Sequence, residues 1–233
     1  MDLHGSVAVV TGSNRGLGRE FAAQLLERGA RKVYATARNP ESVQIAGAIP
    51  LGLDITDRDS VARAAAIAGD ATLIINNAGI LTATSLMDGD LAQIELEMKT
   101  NFYGPLSITR AFAPILASNG GGAILNVLEV LSWLHLPAAG AYDAAKAAAW
   151  AMTDVARQEL APHGIHVAAL HVAYMDTDMA AHIDAPKADP ANVAALALDG
   201  IEHDLTEILA GDTTRSVKQG LSRPPDRPAA VAA

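Results

Sequence analysis

The 233-residue chain contains no cysteine, which excludes disulfides and thiolate metal sites and makes a reducing compartment the simplest setting. Aromatic residues form only 4% of it, so a core has to be built from Ala, Val, Ile and Leu. Positive charge is also scarce. Seventeen Lys and Arg stand against 26 Asp and Glu, a formal net charge of −9, which argues against nucleic acid or an anionic membrane as a partner. Long hydrophobic runs are missing, and Asp2 and Gly5 interrupt the start, so neither a membrane span nor a signal peptide is expected. A soluble cytoplasmic protein is the default. What is present suits a folded domain: 50% hydrophobic and 18% charged residues.

Short β-branched runs alternate with helical stretches along the chain. Ser6–Thr11, Lys32–Ala37, Ile49–Asp54, Leu73–Asn76, Ala123–Leu128 and His166–Val172 read as strands. Helices are expected from Gly16 to Arg28, between the third and fourth strands with Asp57 as cap, from Leu91 to Ala117, and from Tyr142 to Leu160. This alternation predicts an α/β fold, a Rossmann-type doubly wound parallel sheet with helices on both faces. Met175–Asp189 reads as a loop able to cover a site, and 190–221 as mainly helix. A single domain over 1–222 is expected, followed by a flexible tail over 223–233.

Gly12, Gly16 and Gly18 lie between the first strand and first helix, in TGSNRGLG. Such a turn lets backbone N–H groups and a helix N-terminus approach a pyrophosphate without side-chain interference. A tight turn alone would also use glycines, but the strand–loop–helix context favours phosphate binding. The second strand ends in Ala37-Arg38, without the acid that selects a ribose 2′-hydroxyl. Arg38 and Arg15 would suit a 2′-phosphate, so NADP(H) is the favoured cofactor over NAD(H). Both arginines as plain surface charges is the alternative.

TGSNRGLG at 11–18, LDI at 53–55, NNAG at 76–79, NFYG at 101–104 and YDAAK at 142–146 together resemble the short-chain dehydrogenase/reductase family. The resemblance spans nearly everything to about residue 180. It implies that Gly12, Asn14, Arg15, Gly16, Leu17 and Gly18 hold the cofactor, with Asp54 and Ile55 near its adenine. Asn77, Ala78 and Gly79 would line its ribose, Thr177 would contact the nicotinamide carboxamide, and Val172 joins the cofactor-binding set. Tyr142 and Lys146 share one helix face by their spacing. A nearby ammonium lowers a phenol's pKa towards a useful range, so Tyr142 would donate the proton to a substrate carbonyl. By resemblance both also touch the cofactor, and Asn101 holds a water linking Lys146 to solvent. Dimers or tetramers are common in the family, often built on the two long helices.

The pattern breaks at Glu129, thirteen residues before Tyr142, where the family has a serine that polarises the carbonyl. Ser132 is a doubtful substitute on strand geometry. An ionised Glu129 would oppose a phenolate and an alkoxide, or pair with Lys146 and remove its charge. A protonated Glu129 would donate a hydrogen bond as the serine does. It could also face water at a displaced strand end. Asp143 adds a further negative charge, and Val172-Ala173 replaces the usual Pro-Gly. Only a need for positive φ at Ala173 would make that change matter.

The leading reading is an NADP-dependent carbonyl reductase or alcohol dehydrogenase acting on a ketone, aldehyde or secondary alcohol with apolar substituents. Leu81, Trp133, Leu134, Leu136, Tyr174 and Met179 are candidates for its pocket wall, Trp133 foremost. The alternatives are a cofactor-binding scaffold, or an engineered variant, with redox catalysis impaired by Glu129, or a site using Glu129 as a general base for a non-redox reaction.

Overall fold

The computed structural model describes residues 1–181 and 183–222; the expected tail over 223–233 lies outside them. Seven parallel strands form one sheet: β1 (Val7–Val10), β2 (Lys32–Ala37), β3 (Ile49–Gly52), β4 (Leu73–Asn76), β5 (Gly122–Val127), β6 (Ile165–Val172) and β7 (Glu207–Ala210). Their order is β3-β2-β1-β4-β5-β6-β7. The chain therefore reverses its direction of winding between β1 and β4, and a crevice opens at the carboxyl ends of those strands.

Alternation along the strands sorts their side chains between two cores. From β1, Ala8 and Val10 pack with Phe21 and Leu25 of α1 (Gly16–Glu27) and Ile201 of α6 (Pro190–Glu202). Val7 and Val9 face the other way, towards Val61 of α2 (Arg58–Ile67) and Phe112 of α4 (Gly104–Ser118). Small aliphatic residues on both faces of each strand account for a sheet buried on both sides. Asp57 caps α2 by accepting from the Asp59 amide at 3.0 Å.

Two expectations change. The helix read from Leu91 to Ala117 is three pieces: α3 (Leu91–Met98), a π turn at Lys99–Tyr103, and α4. The π turn widens the helix where Asn101 sits, and such insertions are frequent at functional sites. Residues 190–221 are mainly helix, as α6 and α7 (Asp212–Gly220), but a strand that was not expected, β7, lies between them. Four residues are too few to show a period, and β7 gains its place from pairing with β6. The remaining helix, α5 (Gly140–Leu160), crosses behind β5 and β6. Among the described residues, no helix is long and apolar enough to cross a membrane.

Candidate active site

A cleft of about 820 Å³ occupies the crevice. The β1–α1 turn forms its floor. Gly12 and Gly16 take φ of 68° and 53°, which a side chain would resist. A Cβ on Gly12 would lie 3.0 Å from the Ala78 Cα. On Gly18 it would overlap the Gly12 carbonyl oxygen and the Asn77 amide. Gly18 thus lets α1 close on its own turn, and it does not line the cleft. Asn77 locks this floor to β4: its Nδ2 donates to the carbonyls of Thr11 and Gly12 at 2.9 and 3.1 Å. The Thr11 hydroxyl accepts from the amides of Asn77 and Ala78 at 2.9 and 3.0 Å.

Asn14, Arg15, Leu17, Arg38, Asp54, Ile55, Ala78, Gly79 and Thr177 also line the cleft. The Asp54 carboxylate accepts from the amide and hydroxyl of Thr56 at 2.9 and 2.7 Å. Burial raises its pKa, but these bonds, with Arg38 and Lys99 nearby, hold it below the usual value. Arg15 pairs with Asp178 at 2.9 Å, joining the glycine turn to the 174–180 segment that forms one wall. Val172 is fully buried and off the cleft, where Ala173 takes its place. Ala173 does not have positive φ, so it needs no glycine.

Tyr142, Lys146 and Glu129 meet at the opposite end of the cleft. One turn of α5 brings Tyr142 and Lys146 together, with Nζ 5.4 Å from the phenol ring centre. Lys146 donates to the Val127 carbonyl at 2.8 Å, so the end of β5 aims it. Burial lowers the Lys146 pKa, while Glu129 and Glu97 pull it back upward. Burial, then the Glu129 carboxyl beside it, push the Tyr142 phenol well above 10. Glu97 and Asp143 add to that rise. Glu129 is itself pushed up by burial, against the pull of Lys146 and the Tyr142 hydroxyl. Its backbone sits at φ 108°, ψ 159°, a region that essentially only glycine occupies without cost.

Asn101 lies one step behind this group. Its amide is engaged by Ile80, donating to the carbonyl at 2.9 Å and accepting from the N–H at 3.0 Å, and it does not line the cleft. Glu97 is a residue that sequence reasoning missed. Its fully buried carboxylate accepts from the amide of Thr82, from the Thr82 hydroxyl at 2.6 Å and from Asn101 Nδ2 at 3.4 Å. Its spacing of four from Asn101 was the available signal. Asp143 holds the Leu136 amide, and burial raises its pKa against that bond.

Of the suggested wall residues, Leu81, Tyr174 and Met179 line the cleft. Leu134 and Leu136 face solvent instead. Trp133 turns away from the cleft, stacking on His171 at 3.7 Å between ring centres and edge-on to Trp150 at 5.9 Å. Ser132 is buried and donates to the Glu129 carbonyl at 2.7 Å, so its hydroxyl is not in the cleft.

Known proteins share this fold. A family model described as short chain dehydrogenase matches residues 6–188. A short chain dehydrogenase from Burkholderia cenocepacia J2315, solved in complex with NADP, is 41% identical, with a TM-score of 0.92 over 96% of this chain and 95% of that one. Dehydrogenase/reductase SDR family member 7B of Xenopus tropicalis is 28% identical over 92% of this chain and 75% of its own. Short chain dehydrogenase tazN of Aspergillus terreus is 34% identical over 77% of this chain, which spans only 43% of the fungal protein. The cleft at the β1–β4 crossover, the glycine turn and the Tyr142–Lys146 pair thus stand in an oxidoreductase that belongs to the short-chain dehydrogenase family.

Proposed function

We propose that the chain interconverts a ketone or aldehyde with an alcohol using NADP(H). The observation that carries this reading is that one cleft holds the glycine turn at one end and Tyr142 with Lys146 at the other. The turn fits the cofactor: a Cβ on Gly12 would press on Ala78, and Gly16, at positive φ, stands at the α1 N-terminus facing Thr177. Arg15 and Arg38 would hold a 2′-phosphate, Asp54 and Ile55 the adenine side, Asn77, Ala78 and Gly79 the ribose, and Thr177 the carboxamide. The NADP in the 41% identical Burkholderia structure supports that choice. Bound there, the reduced cofactor supplies a hydride.

The chain's own part is to hold the substrate and move a proton. Tyr142 gives its hydroxyl proton to the substrate oxygen, and the Lys146 ammonium offsets the charge left on the phenolate. Asn101 positions Ile80 and, through Glu97, Thr82. Glu129 opposes this chemistry when ionised, because it raises the cost of both phenolate and alkoxide. That observation favours a second reading for neutral pH: a cofactor binder with weak carbonyl reduction. The apolar outer positions Leu91, Tyr103 and Val155, on α3, the π turn and α5, support a homo-oligomer built there.

The test follows 340 nm absorbance while the protein meets NADPH and a panel of aryl and alkyl ketones. Oxidation of NADPH that Tyr142→Phe abolishes is the expected result. Equal turnover in both proteins would contradict the role given to Tyr142.

A further inference from the structure

We propose that the same pocket takes a basic nitrogen, reducing an imine to its amine, with Glu129 as the residue that protonates and then pairs with that nitrogen. The inference rests on the nicotinamide reading above and concerns which double bond the site serves. Glu129 stands at the carboxyl end of β5, half-buried, on the cleft wall beside Tyr142. Beside Tyr142 the cleft wall carries the apolar side chains Leu81, Leu131 and Ala173. A charged substrate group in such a place needs a partner of opposite sign.

The local balance of charge is negative. Lys146 and Asp143, both on α5, act on Glu129 with opposite effect, and Tyr142 faces it. Glu97, on α3, adds its own influence to Tyr142 and Lys146. From β6, His171 Nδ1 lies 3.3 Å from the Glu129 backbone oxygen, and burial lowers its pKa to about 3, so it adds no positive charge near neutrality. Three carboxyl groups, Glu129, Glu97 and Asp143, thus act on Tyr142 against one ammonium, and that ammonium is turned to the Val127 carbonyl. A ketone oxygen becoming negative is opposed here. A nitrogen becoming positive is favoured.

The proton balance follows from the same geometry. The imine nitrogen's lone pair takes the proton of the Glu129 carboxyl, breaking O–H and forming N–H. The carbon then accepts a hydride with its electron pair from the reduced nicotinamide, and the C=N π pair moves onto nitrogen. The products are an amine, an oxidised nicotinamide and a carboxylate that solvent reprotonates. Burial raises the Glu129 pKa, which keeps that proton available closer to neutrality.

Two readouts test the proposal, after a calorimetric titration with NADP+ has checked the cofactor site. In the NADP+-loaded protein, calorimetry compares 2-methylpyrrolidine, cationic at neutral pH, with the neutral 2-methyltetrahydrofuran. The amine should bind at least about tenfold tighter, and Glu129→Gln should erase the preference. Independently, 2-methyl-1-pyrroline is offered with NADPH beside 2-methylcyclopentanone, and the amine product is identified by mass. Glu129→Ser should slow the imine reaction by about a hundredfold and speed the ketone reaction. Tyr142→Phe should cost the ketone reaction more than the imine reaction. Equal binding of the two ring compounds, or imine reduction undiminished in both Glu129 variants, overturns the proposal. Absence of NADP+ binding overturns the reading beneath it instead, and the proposal with it.

Discussion

The two ends of the cleft are built on different terms. At the glycine end the turn is tied to β4 by its own motif residues: Asn77 and Thr11 take part in four hydrogen bonds with each other, Gly12 and Ala78, and Asp54 is held by Thr56. At the tyrosine end, buried polar atoms of Asp143, His171 and Trp133 have no hydrogen-bond partner among the described residues, and Glu129 occupies a glycine-only backbone region. On the proposed function, the first end would hold the cofactor and needs order. On the same proposal the second end would choose the substrate, and it carries the backbone strain and the shifted proton affinities.

The largest test of this contrast removes the hydroxyl proposed as proton donor. Tyr142→Phe should lower ketone turnover by about 10²- to 10⁴-fold while leaving NADPH affinity within a few-fold, read by stopped-flow and fluorescence titration. His171 comes next. Burial lowers its pKa from 6.5 to about 3, so the unfolded chain takes the proton first and stability falls as pH drops through that window. His171→Phe keeps a ring against Trp133 and should flatten the acid limb of a denaturation-versus-pH curve by up to about 1.4 kcal/mol per pH unit. At the other end, Arg38→Ser should weaken NADPH by roughly ten- to a hundredfold and spare NADH, as paired calorimetric titrations would show. The smallest effect is at Glu129→Gly. Relief of the φ 108° strain should stabilise the fold by roughly 1–2 kcal/mol in a urea melt.

The glycine end was legible in the sequence because its signals are local: TGSNRGLG dictates a turn whatever surrounds it, and β2 and β4 fall on the residues read as strands. The tyrosine end was legible only as a list of residues. That Glu97 is buried depends on Thr82 reaching it from another segment. The inward turn of Trp133 depends on His171, 38 positions away on β6. The π turn at Lys99–Tyr103 leaves the helical pattern almost unchanged, and β7 exists only through its pairing with β6. Backbone strain at Glu129 has no sequence signature, since it arises where β5 leaves the sheet.

The most direct measurement is the pH profile of NADPH-dependent ketone reduction by the parent beside Glu129→Ser. Because Glu129 is shifted upward and opposes the phenolate only when ionised, the parent rate should climb as pH falls from neutrality and the serine variant should be faster at neutral pH. A parent as fast as its serine variant at neutral pH, with the same profile, would contradict the account.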